Sequence, residues 1–408
     1  MDESASTEVS RLLYGSPLAR PRRALAIIAV LIVLLGFTLL MILDSLGTLG
    51  VDGLAVFVRA LAVSTMLTVV PVLILRFLDR REPEAPIMFV IALLWGGLIA
   101  TGLALPFNNA ILQAVANAVA VDPAISEFLG PDAPLLIGAP LAGPLVEEIT
   151  KGLGVLVLFW LFRSEFDNLR DGFIYGALVG AGFNWLEAPL YVAQGYAAFG
   201  VAPFGFQLGA RYAFFGLAGH ALYTGMFGAF LGLSRQTATR WLHWAAPFVG
   251  LLLAISAHFL NNVLGLVVTI IGRLSGEPLP EPGPLPDVGL AMSFATSTVR
   301  TFILFFPYLL LMGILIYISG DWERRVIRSE LADEIPECVT PEEYAAIRRD
   351  RILRTRRVDK LRRRASQLRV RAQNELAFRK YRVHHDGGDV ESDPLVQAWR
   401  AELRGRSS

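Results

Sequence analysis

Apolar stretches of about 20 residues, each long enough for one helical crossing of a bilayer, recur along the chain. Their approximate limits are 24–43, 54–76, 86–106, 134–162, 171–197, 206–233, 244–272 and 296–318. The first runs from Ala24 to Leu40 without a charge. It is too long for a signal-peptide core and no cleavage pattern follows it, so it reads as a retained anchor. The segment 107–133 carries only Asp122, Glu127 and Asp132 as charges, and fits either an amphipathic helix on the outer face or a loop. The stretch 276–288, with prolines at 278, 280, 282, 284 and 286, is too proline-rich for a helix and reads as an extended connector. Near Ser319 the apolar pattern gives way to charged residues. The expected fold is all-α: a polytopic bundle of about eight transmembrane helices over 24–319, after a short segment 1–23 and before a helical tail, 320–408.

Composition sharpens this division. The chain of 408 residues is 54% hydrophobic and 18% charged, where soluble proteins carry about 25% charged residues. Residues 1–320 hold 16 basic and 20 acidic groups, and residues 321–408 hold 21 and 16. The formal net charge of +1 therefore averages an acidic body with a basic tail. An ordinary soluble enzyme is excluded. So is a disulfide-stapled secreted domain, because Cys338 is the sole cysteine.

Arginines orient the spans. Arg11, Arg20, Arg22 and Arg23 precede the first, Arg76, Arg80 and Arg81 follow the second, Arg163 and Arg170 the fourth, and Arg235 and Arg240 the sixth. The other side has Arg59, Arg211, Arg273 and Arg300. The positive-inside rule then puts both termini in the cytoplasm of a cell-membrane protein, which requires an even number of spans.

Ionisable groups in hydrocarbon are costly and mark functional sites by default. The fourth stretch carries Glu147, Glu148 and Lys151, the fifth Asn184 and Glu187, the sixth His220 and Thr224, and the seventh His258 and Asn262. Counted from the ends of their stretches, these groups fall at or near one depth on four successive antiparallel helices. Two imidazoles and two or three carboxylates there can form a metal site, and His with Glu suits zinc. A spare Glu can act as general base. Lys151 is i+4 from Glu147 and i+3 from Glu148, so it can neutralise either. Asn262, one turn from His258, can stabilise an oxyanion or hold a water. The four-residue spacing of Gly172, Gly176 and Gly180, with Gly228 and Gly232, reads as close helix packing.

These residues carry a resemblance. Glu147-Glu148-Ile149-Thr150-Lys151 resembles the EExxK motif of the PrsW family of intramembrane proteases. The run from Asp171-Gly172-Phe173 through Gly180 and Phe183 to Glu187 resembles that family's second block, ending in FxxxE. Gly219-His220 to Gly225 resembles the third, and His258 with Asn262 the HxxxN block. The resemblance covers about 134–270. Its second block often continues from Glu to Asn, whereas Ala188 stands here. It implies an intramembrane endopeptidase of the superfamily that includes CAAX prenyl endopeptidases and bacteriocin-processing enzymes, acting on membrane-anchored proteins such as anti-sigma factors. Residue by residue, it implies that Glu147 or Glu148 activates water with Lys151 beside them. Glu187, His220 and His258 would hold the metal, zinc, and Asn262 would serve the oxyanion. A metal-free glutamate mechanism fits the same residues. Two other functions compete: a proton-coupled transporter or channel using midplane Glu, His and Lys, and a catalytically inactive scaffold. The absence of an internal repeat argues against the transporter, and the intact motif residues argue against the scaffold.

In the tail, Thr340-Pro341-Glu342-Glu343 reads as a capping-box helix start. Val358, Leu361, Ala365, Leu368, Ala372 and Leu376 form a heptad-like stripe on an Arg-rich helix ended by Gly387-Gly388. This predicts a helix over 340–382 lying near anionic lipid headgroups, or self-associating. No aromatic interleaving supports nucleic-acid binding. His384-His385 reads as part of a disordered terminus.

Overall fold

The computed structural model describes residues 13–405 apart from 80–84, 238, 279–282, 284–287, 352–356 and 358–362. Arg11, Arg80 and Arg81, most of the proline-rich connector, and Val358 and Leu361 of the tail stripe lie outside the described residues. The fold is all-helical: α1 Pro21–Gly47, α2 Gly50–Leu78, α3 Pro86–Val121, α4 Pro123–Leu129, α5 Ala133–Leu161, α6 Leu169–Phe199, α7 Phe204–Arg211, α8 His220–Gln236, α9 Arg240–Leu274, α10 Leu290–Glu330, α11 Pro341–Arg348, α12 Arg363–His385 and α13 Pro394–Gly405. Six of these segments are long and apolar enough to cross a membrane: α1, α2, α3, the region of α8, α9 and α10. Helices α5 and α6, with 29 and 31 residues, match them in length. They differ in carrying the charged and small residues of the candidate site.

Helix α6 is the axis of the fold. A capping box starts it: the Asn168 side chain accepts from Arg170 N and Asp171 N, and Asp171 closes the box on the Asn168 amide. Gly200, at φ 69°, ends it in the left-handed region. Between those ends α6 is buried almost throughout, because small residues let neighbours approach on two sides. On one side, a Cβ at Gly172, Gly176 or Gly180 would fall on the carbonyl oxygens of Gly228, Thr224 or His220 in α8. On the other, a Cβ at Gly96 would fall on Val179 O, and one at Gly182 on Leu93 O. Gly96 lies in a π-helical turn, Trp95–Ala100, inside α3. The Trp95 indole rests where Gly154 of α5 lacks a side chain, and its Nε1 donates to Thr150 O at 3.3 Å. The peripheral helices are different. Only 11% of the apolar window of α1 and 17% of those of α9 and α10 is buried, against 72% for α8. Their exposed Leu, Ile, Val and Phe side chains form the apolar surface expected of a lipid-facing wall.

Three sequence expectations are decided or changed. Of the two forms open to 107–133, the helical one is found: 107–121 continues α3, and α4 follows. The sixth stretch, 206–233, is not one helix. It breaks between α7 and α8, where Phe214, Phe215, Gly216 and Gly219 have φ of 52°, 60°, 73° and 70°. Two glycines make that turn accessible. The Tyr212 hydroxyl anchors it to α2 through Ser64 Oγ at 2.6 Å and Thr68 Oγ1 at 2.7 Å. His220 therefore opens a helix rather than sitting mid-helix.

The third change is in the tail. The capping box at Thr340 and Glu343 forms as expected, but α11 stops at Arg348 and α12 starts at Arg363, so 340–382 is not a continuous helix. Ala372 and Leu376 are buried, whereas Ala365 and Leu368 are exposed. The buried face packs with Phe378 and Val383 against Trp322 and Ile327 of α10 and against Val396, Trp399 and Leu403 of α13. The stripe is thus spent on an intramolecular core. His384 and His385 end α12, and the chain beyond them folds as α13. Glu334 lies in this core and accepts from Lys380 Nζ at 2.7 Å and Arg400 Nη2 at 2.8 Å. Two ion pairs join the region to the base of α6: Arg382–Asp167 at 2.6 Å and Arg170–Glu323 at 2.9 Å.

Burial alone would push the Glu334 carboxyl up. Hydrogen bonds from Arg400 and Lys380 outweigh it and hold the group below the ordinary value of 4.5. A depressed carboxyl contributes stability above its unfolded value and loses that stability as the pH falls through the folded one. Protection of the 394–405 amides from hydrogen exchange should therefore drop on acidification below about pH 4.5. Glu334→Gln should cost roughly 3 kcal/mol near neutral pH by leaving two buried cations short of a partner. Equal protection of wild type and variant at pH 7 would refute this.

Candidate active site

Glu147 and Glu148 are consecutive in α5, about 100° apart around the helix, and turn to different neighbours. Glu148 is fully partnered. Its Oε1 accepts from Lys151 Nζ at 2.5 Å and lies 2.9 Å from His258 Nδ1, and its Oε2 accepts from Thr224 Oγ1 at 3.0 Å. Glu147 is not. Asn108 Nδ2 donates to its Oε1 at 3.1 Å, while its Oε2 is buried without a hydrogen-bond partner. The nearest cation, Lys151 Nζ, lies 3.7 Å from that oxygen.

Both imidazoles converge on it. His220 Nδ1 and His258 Nε2 each lie 3.9 Å from Glu147 Oε2. The second nitrogen of each ring is held by another carboxylate: His258 Nδ1 by Glu148, and His220 Nε2 by Glu187 Oε2 at 2.9 Å. Such carboxylate–histidine pairs fix the ring orientation and leave the other nitrogen as a lone-pair donor. The rings meet edge to face, with centroids 5.0 Å apart. One ligand atom from each of Glu147, His220 and His258 can be chosen so that all lie within 4.8 Å of one another, close enough to hold a metal ion. Residues 84–276 match the model of the PrsW family intramembrane metalloproteases.

The matched segment is 193 of the 408 residues. No curated protein and no solved structure matches the chain. The PrsW match runs from the start of α3 to just past α9, so it takes in every residue of the candidate site and leaves out α10 and the tail. Together with the six apolar helices it points to a membrane protein that is similar over this segment to intramembrane metalloproteases.

The remaining site residues of the PrsW-like segment fall around this centre. Glu187 is ion-paired with Arg211 as well as bonded to His220. Lys151 is wholly buried, its Nζ 2.8 Å from His220 Nδ1 and 4.3 Å above the Phe183 ring. Asn262 Nδ2 donates to Ala139 O at 3.2 Å. Gly143 keeps the space between them open: a Cβ there would stand 2.9 Å from Asn262 Nδ2, 3.4 Å from Glu147 Oε1 and 3.6 Å from His258 Nε2. Glu147, Glu187, His220, His258 and Asn262 line one cavity of about 900 Å³. Glu148 and Lys151 stand behind its wall.

Sequence reasoning missed two contributors. Arg211 counted only as a flanking arginine, and its pairing with Glu187 depends on the break that ends α7. Asn108 lay in the segment read as a loop or outer helix. The adjacent Asn108-Asn109 pair in an otherwise apolar run was the available signal.

Proposed function

We propose that this protein is an intramembrane endopeptidase that hydrolyses peptide bonds of membrane-anchored proteins, with Glu147, His220 and His258 holding a divalent metal, zinc by donor type. The observation that carries this reading is the unpartnered, buried Glu147 Oε2, faced at 3.9 Å by one nitrogen from each of two carboxylate-anchored histidines. A carboxylate and two neutral imidazoles suit zinc, which leaves a position open in catalytic sites. Zinc bound there would bring a water's pKa to about 7 and polarise a carbonyl.

The chain's own residues do the rest. Glu148 and Glu187 hold the two rings in their tautomers, and Arg211 holds Glu187. Asn108 keeps Glu147 Oε1 occupied, so that Oε2 stays turned to the histidines. Asn262 spends one amide hydrogen on Ala139 O, and its second is free for a substrate carbonyl oxygen entering beside Gly143. Lys151 Nζ occupies the single lone pair of His220 Nδ1, so a metal held there would have to displace the ammonium toward Glu148, which it already contacts. In this reading α5 and α6 also cross the membrane. That gives eight spans with both termini in the cytoplasm, in keeping with the arginine bias. Anti-sigma-factor-like proteins are one substrate class that fits.

Purified in mild detergent, the protein should carry about one zinc per chain. His220→Ala and His258→Ala should each lose it. Glu187→Gln should keep most of it and lower activity roughly 10- to 100-fold, as expected of a group that orients a ligand. Loss of zinc in Glu187→Gln with retention in Glu147→Gln would reassign the third ligand. Active protein without metal would favour a water activated by Glu147 alone.

A further inference from the structure

The cavity has a second polar wall that the chemistry above does not use. Arg300, near the start of α10, lines it and forms no ion pair or hydrogen bond among the described residues. Thr301 and Tyr223 line it too, and they are only 5% and 2% exposed. Neither hydroxyl has a hydrogen-bond partner among the described residues. A helical threonine in an apolar setting ordinarily bonds back to the preceding turn, so the idle Thr301 hydroxyl is unusual. Both hydroxyl oxygens nevertheless keep accessible surface and are open to the cavity. Arg300 itself is exposed, so its guanidinium is accessible to a ligand in the cavity.

The three groups belong together. Phe305, one turn beyond Thr301 on α10, packs edge-on against Tyr223 with ring centroids 5.6 Å apart. Tyr223 in turn stacks on His258 at 5.0 Å and 20°. The wall is thus tied directly to one of the histidines facing Glu147. The other arginine of the cavity, Arg211, is paired with Glu187, whereas Arg300 has no counter-charge among the described residues.

We infer that Arg300, Thr301 and Tyr223 form a subsite for a carboxylate of the substrate peptide, either an acidic side chain or a free C-terminus. One guanidinium and two hydroxyl donors suit a carboxylate, which accepts several hydrogen bonds at once. The inference rests on the protease reading and adds the substrate chemistry that this site prefers.

The test uses the full-length protein in phosphatidylcholine liposomes with synthetic transmembrane peptides. Members of each pair differ by Glu against Gln in the segment, or by a C-terminal carboxylate against a carboxamide. Wild type should cleave the carboxylate member of one pair series roughly 10- to 100-fold faster in kcat/KM, and the series that responds identifies the source of the carboxylate. Arg300→Glu should reverse that preference toward peptides with Lys at the same position, a swap that general damage to the fold cannot mimic. Thr301→Val and Tyr223→Phe should each reduce the preference for the carboxylate member of the pair. An unaltered preference in Arg300→Glu overturns the subsite and leaves the protease reading intact. So does an effect of Arg300→Glu seen only when phosphatidylglycerol is added, which would assign the wall to lipid. If wild type cleaves no peptide of either series while the metal is bound, the protease reading fails and the subsite with it.

Discussion

Glu147→Gln should lower cleavage of a membrane-anchored reporter by on the order of 10⁴-fold, the scale seen when a residue of a cooperating catalytic set is removed. The substitution preserves shape and keeps an oxygen for Asn108, so insertion and folding should match wild type. It removes the charge at Oε2, the position on which His220 Nδ1 and His258 Nε2 converge. The loss should appear in kcat more than in KM, since the group would hold the metal rather than bind the bulk of the substrate. Glu148→Gln gives the contrast. That carboxylate is consumed by Lys151, Thr224 and His258, so its loss should lower thermal stability together with activity, through a buried ammonium left without a full counter-charge. Activity within tenfold of wild type for Glu147→Gln, in protein shown to be inserted, would sink the assignment of Glu147 to the metal-holding set.

The second large effect is structural. Gly176→Leu should prevent α6 from docking on α8, and the protein should fail to give a monodisperse, protease-resistant species in detergent. Gly176→Ala should survive with a loss of roughly 2–3 kcal/mol. The Cβ at 176 would fall on Thr224 O, a backbone atom that cannot swing aside. The same register sets the site: His220, Thr224 and Gly228 of α8 are the residues against which Gly180, Gly176 and Gly172 pack. Moving α8 outward by about an ångström would part His220 from Glu187 and Thr224 from Glu148. A misplacement of that size can cost about a hundredfold in rate. Gly176→Ala should therefore lose more activity than its stability alone explains. An unfolding midpoint and turnover equal to wild type would overturn the account of α6 as a fixed axis.

The arithmetic of length and polarity was enough for the apolar stretches and for Glu147, Glu148, Lys151, Glu187, His220, His258 and Asn262 as the candidate set. Depth along a helix is a one-dimensional quantity, and ionisable residues stand out against hydrocarbon because burying them is expensive. The capping box at Thr340 is local for the same reason: its partners lie three residues apart. Three-dimensional questions were not legible. Which carboxylate stays unpartnered depends on how α5 is rotated, and that rotation follows from Trp95 seating on Gly154 and from glycines that admit α6 between α8 and the π-turn of α3. The start of α8 at His220 depends on four consecutive-region residues in left-handed backbone, which an apolar window averages away. Arg211 becomes a partner of Glu187 only because that break turns α7 back toward α6. In the tail the sequence showed an amphipathic stripe but not what covers it, since α10 and α13 reach it from distant positions of the chain on either side. The sequence by itself marked the apolar stretches and which of their residues are chemically expensive, but not where every helix breaks. The tertiary structure decided which of those residues face one another, because helix rotation and ångström-scale approach come from packing between helices and leave no signature within any one of them.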